Sequence, residues 1–440
     1  MKIISPANQT VMAILGKARE GTDYRMLHFC VEEAVNEGVL LFNLLTKELL
    51  LLTQEEYENR LELDALKQRW FVVPAETKDK EYASTVRWVH QMRAKKTGTI
   101  NGYTIFTTTD CNARCYYCFE LGWNRIHMTE DTAKQTLAYI KKHCGGKKVH
   151  LAWFGGEPLY NMKPIDIICQ GLQEAGIEYS STMVSNGYLL NAQTVEKAVN
   201  SWKLQKVQIS LDGTEDVYNK IKAYIYDNVN AFEEVMKNIG LALQANIKVQ
   251  IRLNMDLSNH KDLMELVDQL ALRFEGMAGL SVYASHLFKN GVASADLYTC
   301  EEWMQRETAM EQLEQRIARH HLADKRGIKP IVRLTHCMAD DDNCMVVSSS
   351  GHLGRCEHCH EEDYIGHVAD GVIDTAKAAT WKELVPEIPE CAQCFYYPYC
   401  ILLKRCSTSN VCFQQNRDIK KRKLRLSMVN EYEKWLNQQK

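Results

Sequence analysis

Three cysteines stand close together in Thr109-Asp110-Cys111-Asn112-Ala113-Arg114-Cys115-Tyr116-Tyr117-Cys118-Phe119-Glu120, with the spacing C-x3-C-x2-C. Three thiolates are one ligand short of a closed four-cysteine site. On a [4Fe–4S] cluster they leave one iron without a protein ligand, free to bind and activate a small molecule. A structural zinc site wants four protein ligands, and no local histidine or cysteine supplies the fourth. A second cysteine field lies far downstream, at Cys337, Cys344 and Cys356, then Cys391-x2-Cys394-x5-Cys400, then Cys406 and Cys412. CxxC pairs also occur in zinc ribbons, so these spacings alone leave iron–sulfur and zinc both open.

The elements that must position the triplet can be read from the flanking pattern. The apolar, β-rich run Tyr103-Thr104-Ile105-Phe106-Thr107 precedes it, as it should if the cysteine loop leaves the first strand of a barrel. Leu151-Ala152-Trp153-Phe154 predicts a second strand that runs straight into Gly155-Gly156-Glu157-Pro158. Ser185-Asn186-Gly187 follows the strand Ser181-Thr182-Met183-Val184, and Ser210-Leu211-Asp212-Gly213 follows Val207-Gln208-Ile209. Arg252 and Asn254 sit within Val249-Gln250-Ile251-Arg252-Leu253-Asn254. Each polar cluster falls at the C-terminal end of a predicted strand, where α/β barrels put their chemistry. Helices are expected near 129–143, 163–175, 191–202, 230–245 and 259–274. The fold class is therefore α/β, with six βα repeats in a partial (β/α)6 TIM-type barrel.

This ordered set of motifs resembles the radical S-adenosylmethionine (SAM) enzymes, whose signature is the triplet with an aromatic residue just before the last cysteine, here Tyr117. The resemblance implies that Cys111, Cys115 and Cys118 hold a [4Fe–4S] cluster whose open iron chelates the amino and carboxylate groups of SAM. It also implies that an electron from the cluster cleaves SAM to a 5′-deoxyadenosyl radical. Gly155, Gly156, Glu157 and Pro158 match the family's second hallmark, which binds the SAM amino group; the glycines let the backbone approach a ligand closely. Ser185, Asn186, Ser210, Asp212 and Arg252 complete the implied cofactor-binding set. Relatives often carry His and Arg where Tyr218 and Lys222 stand. A lysine can hold the SAM carboxylate as a point charge but not by a bidentate fork, and Lys222 is the implied ligand.

The second cysteine field resembles the seven-cysteine SPASM extension of radical SAM enzymes that act on peptides and proteins. By position, one auxiliary [4Fe–4S] cluster would use Cys337, Cys344, Cys356 and Cys406, and another Cys391, Cys394, Cys400 and Cys412. Three clusters are then expected in all. The family usually spaces the third and fourth cysteines of the second run by three residues, whereas Cys400 and Cys406 are separated by five. In the anaerobic sulfatase-maturing members, the residue after the auxiliary cysteine that follows the glycine motif is an aspartate proposed as a base; here it is Glu357. The surrounding Arg355-Cys356-Glu357-His358-Cys359 departs from the aromatic-rich sequence expected there, which counts against sulfatase maturation. The same stretch spells the haem-attachment pattern C-x-x-C-H, which needs an exported protein. Cys359 is left unassigned, and Cys30, Cys144, Cys169 and Cys300 are expected to be buried small apolar residues.

The chain has 440 residues and a formal charge of 53 minus 56, or −3, so nothing global suggests nucleic acid or an anionic membrane. The N-terminus lacks a signal-peptide core, and the most apolar stretch, residues 38–53, is too short and too polar to span a bilayer. A cytoplasmic protein is expected, in which 16 cysteines argue for metal ligation over disulfides. The expected units are an N-terminal domain at 1–95, the barrel at 96–290, a helical bridge at 291–330, the SPASM region at 331–416 and a basic helix at 417–440. The N-terminal unit, with strands near 26–31, 39–43 and 47–52 and a helix from Thr53, looks like the winged-helix domain that reads leader peptides. The basic stretch from Arg417 to Arg425 is read as a solvated helix face rather than a site for an acidic leader. The expected function is maturation of a ribosomally made precursor peptide through a thioether or carbon–carbon cross-link. A flavodoxin or ferredoxin would serve as reductant. Alternatives are formylglycine formation on a sulfatase and a non-catalytic iron–sulfur protein.

Overall fold

The computed structural model describes residues 1–17, 20–93, 98–227, 229–287, 299–323, 337–406 and 414–439. The N-terminal unit contains strands β1 (Lys2–Ser5), β2 (Tyr24–Met26), β3 (Cys30–Val35), β4 (Gly38–Asn43), β5 (Glu48–Leu52) and β6 (Val72–Pro74). Between and after them lie helices α1 (Gln9–Leu15), α2 (Gln54–Glu58), α3 (Asp64–Gln68) and α4 (Asp79–Arg93). Four strands form an antiparallel sheet in the order β1-β5-β4-β3, and β2 pairs with β6 separately. Leu40, Phe42, Leu49 and Leu50 are buried together with the rest of this centre, which explains the unbroken leucine run at 49–52. The strand expected at 26–31 is split, because the buried carboxylate of Asp79 accepts from His28 N at 2.8 Å and from Arg25. Thr53 caps α2 in a reciprocal capping box with Glu56.

The barrel follows. Its strands are β7 (Gly102–Thr108), β8 (Val149–Gly155), β9 (Tyr179–Ser185), β10 (Leu204–Leu211), β11 (Lys248–Met255) and β12 (Leu280–His286). Around them run α5 (Glu130–His143), α6 (Lys163–Glu174), α7 (Ala192–Asn200), α8 (Glu215–Lys222), α9 (Ala231–Gln244), α10 (His260–Arg273) and α11 (Cys300–Arg319). All six strands pair in parallel with their neighbours, so the (β/α)6 reading holds. Trp153, Ile209, Ile251 and Leu253 are fully buried between the strands and the helices. The helix α8 was not expected: only Val217, Tyr218 and Ile221 are apolar in its eight residues.

The C-terminal part adds β13 (Cys344–Val347), β14 (His352–Gly354), β15 (Gly366–His367), α12 (Thr375–Thr380) and α13 (Gln414–Gln439). β13 pairs in parallel with β7, Cys344 opposite Gly102, so one sheet of nine strands runs from β12 through β7 to β15. The sheet thus continues from the barrel into the cysteine-rich region. The basic stretch of α13 lies on the surface, with Arg422 and Lys423 exposed, and three of its six cations meet carboxylates. Arg422 and Lys423 pair with Glu311 and Glu314 of α11, and Arg425 reaches Glu33 and the Glu32 carbonyl on β3. Tyr397, Met428 and Tyr432 complete the core of the N-terminal unit. Among the described residues, no helix is long and apolar enough to cross a membrane.

Candidate active site

The cysteine triplet follows β7 and is tied down from three strands. Asp110 caps the loop through Cys111 N at 2.8 Å. Asn112 accepts from Asn186 Nδ2 after β9 at 2.7 Å, and its carbonyl accepts from Ile225 N. Arg114 N donates to the Lys222 carbonyl at 2.8 Å, at the C-terminal end of α8. The loop geometry is therefore set by backbone that lies outside it. Cys111, Cys115 and Cys118 are all half-buried, and burial pushes their thiols up, to about 12 for Cys111 and about 11 for Cys118. The Cys111 sulfur accepts from Ala113 N at 3.3 Å and from Asn186 Nδ2 at 3.7 Å.

Tyr117, before the last cysteine, belongs to a buried network at the ends of β10 and β11. Its hydroxyl donates to Asp212 Oδ1 at 2.7 Å and accepts from Lys222 Nζ and Asn254 Nδ2, both at 3.1 Å. Lys222 Nζ lies 3.0 Å from Asp212 Oδ2 and donates to Ser210 Oγ at 2.7 Å. Lys222 and Asp212 are thus a closed internal ion pair, with side chains 3% and 1% exposed. The ammonium implied to meet a ligand carboxylate has a carboxylate of the protein as its partner.

Gly155 has φ 119°, and a Cβ there would lie 2.1 Å from the Thr108 carbonyl; at Gly156 it would lie 2.2 Å from the Asp110 carbonyl. The close approach these glycines permit is to the chain's own backbone entering the triplet. Glu157 is buried and accepts from Leu159 N, Asn186 N and Ser185 Oγ, joining β8 to β9, while Pro158 opens a short turn beneath it. Burial pushes its carboxyl up to about 7 despite these donors. Arg252 reaches Ser285 through Nη2 at 3.2 Å.

The second cysteine field meets the first through its aromatic side chains. His358 packs on Phe119 with ring centroids 4.5 Å apart, and His360 on Trp123 at 5.6 Å. Glu357, half-buried, lies between Cys356 and His358; its charge acts on both and on Cys337. Cys337 interacts electrostatically with Cys344, Cys356 and Cys406, and Cys356 with Cys359. Cys359 is buried among Ala339, Trp381, Ile401 and Leu403, in the cluster against which Cys356 and Cys406 also pack. Cys391, Cys394, Tyr396 and Tyr399 pack on the N-terminal core; Arg87 of α4 holds the carbonyls of Tyr397 and Cys400. Cys412 lies outside the described residues. Cys144 and Cys169 are buried as expected, and Cys30 is half-buried.

Among the described residues no group of three or more His, Cys, Asp or Glu side chains already stands in metal-binding arrangement. The donor set nonetheless fits iron–sulfur ligation: soft thiols in three groups, with N–H donors on the first. Around the triplet, Asn112 Nδ2, Glu120 Oε1 and Arg252 Nε are buried without a hydrogen-bond partner. Burial lifts the Glu120 carboxyl to about 8. Sequence reasoning marked Asn254 beside Arg252 but overlooked Asn112 and the ring contacts of the histidines at 358 and 360. The polar residues flanking Cys111 and the aromatic run 116–119 were the available signals.

Comparison with known proteins agrees with this geometry. A GTP 3′,8-cyclase of Clostridium perfringens (strain SM101 / Type A) is 31% identical over 189 residues, 42% of this chain and 55% of the relative. The chain thus spans about half the length of the curated relatives it matches. The solved structure of native anSMEcpe with bound AdoMet superposes with a TM-score of 0.57 at 14% identity, covering 76% of this chain and 98% of that one. The same protein with AdoMet and the Cp18Cys peptide gives 0.55 at 13% identity, covering 77% and 98%. These likenesses are of fold. Residues 105–270 match the model of the radical SAM superfamily. With the triplet at the end of β7 and a polar cluster at each following strand end, this segment is a radical SAM domain.

Proposed function

We propose that this chain matures a ribosomally made peptide, abstracting a hydrogen atom and closing a side-chain cross-link, a thioether or carbon–carbon bond. The observation that carries the reading is the seam between the two cysteine fields. β13 extends the barrel sheet from β7, and the segment Glu357-His358 lies against the triplet loop. A C–H centre activated at the barrel mouth would thus lie beside a second set of redox-competent ligands. The Cp18Cys peptide in the anSMEcpe structure supports a peptide substrate for this fold.

Cys111, Cys115 and Cys118 would hold the SAM-binding cluster, and the two downstream sets the auxiliary clusters. Bound there, cluster and SAM supply hydrogen-atom abstraction, with a flavodoxin or ferredoxin as electron donor. The Tyr117-Asp212-Lys222 network fixes the loop, and Phe119, Trp123, His358 and His360 shield it from water. Ser185 and Asn186 orient Glu157 and the loop. Closing the bond releases one further electron and one proton. The downstream cysteine sets would hold clusters able to take up that electron, and Glu357 would take the proton.

Glu357→Gln keeps the shape and removes the base. Loss of a general base costs about 10²–10⁴ in rate. Product formation should fall by that factor while 5′-deoxyadenosine still forms. Wild-type product rates in this variant would remove Glu357 from the mechanism.

The leader would add as a strand to β3, the edge of the N-terminal sheet. Deleting residues 1–95 is a poor test, because Tyr397, Met428 and Tyr432 pack in the same core. Hydrogen exchange is cleaner: precursor binding should slow exchange of the amides at 30–35. Unaltered exchange there in the saturated complex would place the leader elsewhere.

Anaerobic co-expression with a short open reading frame beside the gene, followed by mass spectrometry, tests the function itself. The expected product has lost two hydrogens and carries covalently joined side chains. An aldehyde at a cysteine or serine of a sulfatase peptide would favour formylglycine formation instead. Turnover of GTP, with no change to peptide, would favour the chemistry named for the curated relatives.

A further inference from the structure

The turn that follows β9 commits an amide to the first cysteine of the triplet. Asn186 is 8% exposed, and its Oδ1 accepts from Tyr188 N at 3.0 Å. This side-chain turn fixes which end of the amide is oxygen. The nitrogen therefore points the other way. Nδ2 lies 2.7 Å from Asn112 Oδ1 and 3.7 Å from the Cys111 sulfur, and its two hydrogens suffice for both acceptors. The backbone is held as well, since Asn186 N donates to Glu157 Oε2 at 2.7 Å. Main-chain and amide donors of Asn186 are thus committed within the protein, although the resemblance implies that this residue binds SAM.

A donor aimed at a cluster thiolate acts differently on the two redox states. Reduction adds negative charge to the iron–sulfur unit, so an N–H directed at sulfur stabilises the reduced form more than the oxidised form. Hydrogen bonds to the sulfurs are one of the means by which a protein sets the potential. Such a bond is charge-assisted and stronger than one between neutral groups. Cys111 also receives Ala113 N at 3.3 Å, a backbone donor that no change at position 186 removes. The Asn186 amide is aligned in advance, because Asn112 on the loop and Tyr188 beyond β9 hold it from both ends.

We propose that the Asn186 amide is a hydrogen-bond donor to the Cys111 thiolate, and that it raises the reduction potential of the triplet cluster rather than binding SAM. The inference rests on the reading that Cys111, Cys115 and Cys118 hold a [4Fe–4S] cluster. Without the amide the added electron is less stabilised, and a given reductant delivers it less readily. SAM cleavage then slows through reduction of the cluster, with SAM affinity unchanged.

Redox titration of the reconstituted holoenzyme without SAM, followed by electron paramagnetic resonance, tests this. The triplet cluster is the one whose signal is missing when Cys111, Cys115 and Cys118 are all alanine. Asn186→Ser keeps an oxygen for Tyr188 N in the same kind of turn and has no amide for the sulfur. Its triplet midpoint should become more negative, by about tenfold in the reduced-to-oxidised ratio, ~59 mV for one electron. The other midpoints and SAM affinity should stay at their wild-type values. An Asn186→Ser holoenzyme with full iron and an unmoved triplet midpoint would overturn the proposal. Weakened SAM binding at an unmoved midpoint would do so too, and would make Asn186 a SAM ligand. Should Asn186→Ser fail to fold, wild-type protein with heavy nitrogen in its asparagine side-chain amides gives the reading. Pulsed resonance should show that nitrogen coupled to the reduced triplet cluster, and its absence would overturn the proposal. Iron unchanged in the triple alanine variant would instead remove the cluster itself, a failure visible in iron rather than in potential.

Discussion

Replacing Cys111, Cys115 and Cys118 together by alanine is expected to abolish SAM cleavage and to lower iron from about 12 to about 8 per chain, one [4Fe–4S] cluster of three. The loss should be confined to that site. The backbone ties of the loop, from Ile225 to the Asn112 carbonyl and from Arg114 to the Lys222 carbonyl, use no sulfur and remain in the variant. The downstream cysteines belong to other segments of the chain. Their spectroscopic signatures should therefore persist while 5′-deoxyadenosine production disappears. Anaerobic reconstitution, iron analysis and chromatography of the nucleoside product check both halves. Deoxyadenosine formation by the triple variant would overturn the assignment of the triplet.

The second large effect concerns stability. Lys222→Met leaves the Asp212 carboxylate buried without its cation, and breaking such a pair from one side costs about 3–5 kcal/mol. Tyr117 and Ser210 lose a donor at the same time. Adding Asp212→Asn should return much of the loss, because the unpaired charge is gone. Denaturation of the two variants measures this directly, and SAM affinity separates two roles. An architectural pair predicts that the double variant, once folded, binds SAM nearly as well as wild type. A lysine that holds the SAM carboxylate predicts lost SAM affinity in both variants with little change in stability. That second pattern would return Lys222 to the ligand set.

Much of the barrel was legible because its signals are local. Apolar strands ending in Gly-Gly-Glu-Pro, Ser-Asn-Gly or Ser-Leu-Asp-Gly announce both the strand and the side of the sheet on which polar residues gather. Pairing that depends on distant residues was not legible. Nothing in Cys344-Met345-Val346-Val347 says that it should lie beside β7, more than two hundred residues earlier. Lys222 read as a free charge because its partner, Asp212, is brought opposite by the short polar helix α8, whose pattern is too weak to announce it. The ion pairs made by the exposed basic run at 417–425 were hidden for the same reason, since Glu311, Glu314 and Glu33 come from other elements. The glycines at 155 and 156 were rightly seen as places of close approach, but the approach is to Thr108 and Asp110.

The contacts of β13 and α13 also constrain how the protein is made. A chain emerging from the ribosome folds from its N-terminal end as units become complete. Here neither early unit can complete itself. β7 remains an open sheet edge until residues 344–347 have been synthesised, and the first core lacks Met428 and Tyr432 until more than three hundred further residues have followed it. Contacts of such sequence separation form slowly. The nascent barrel therefore has an interval, between the end of β12 and the synthesis of β13, with its cysteine loop on an unsealed scaffold, in which iron delivery can precede closure. Truncation after residue 413 would leave the first ninety residues without part of their core, although the cut lies more than three hundred residues away.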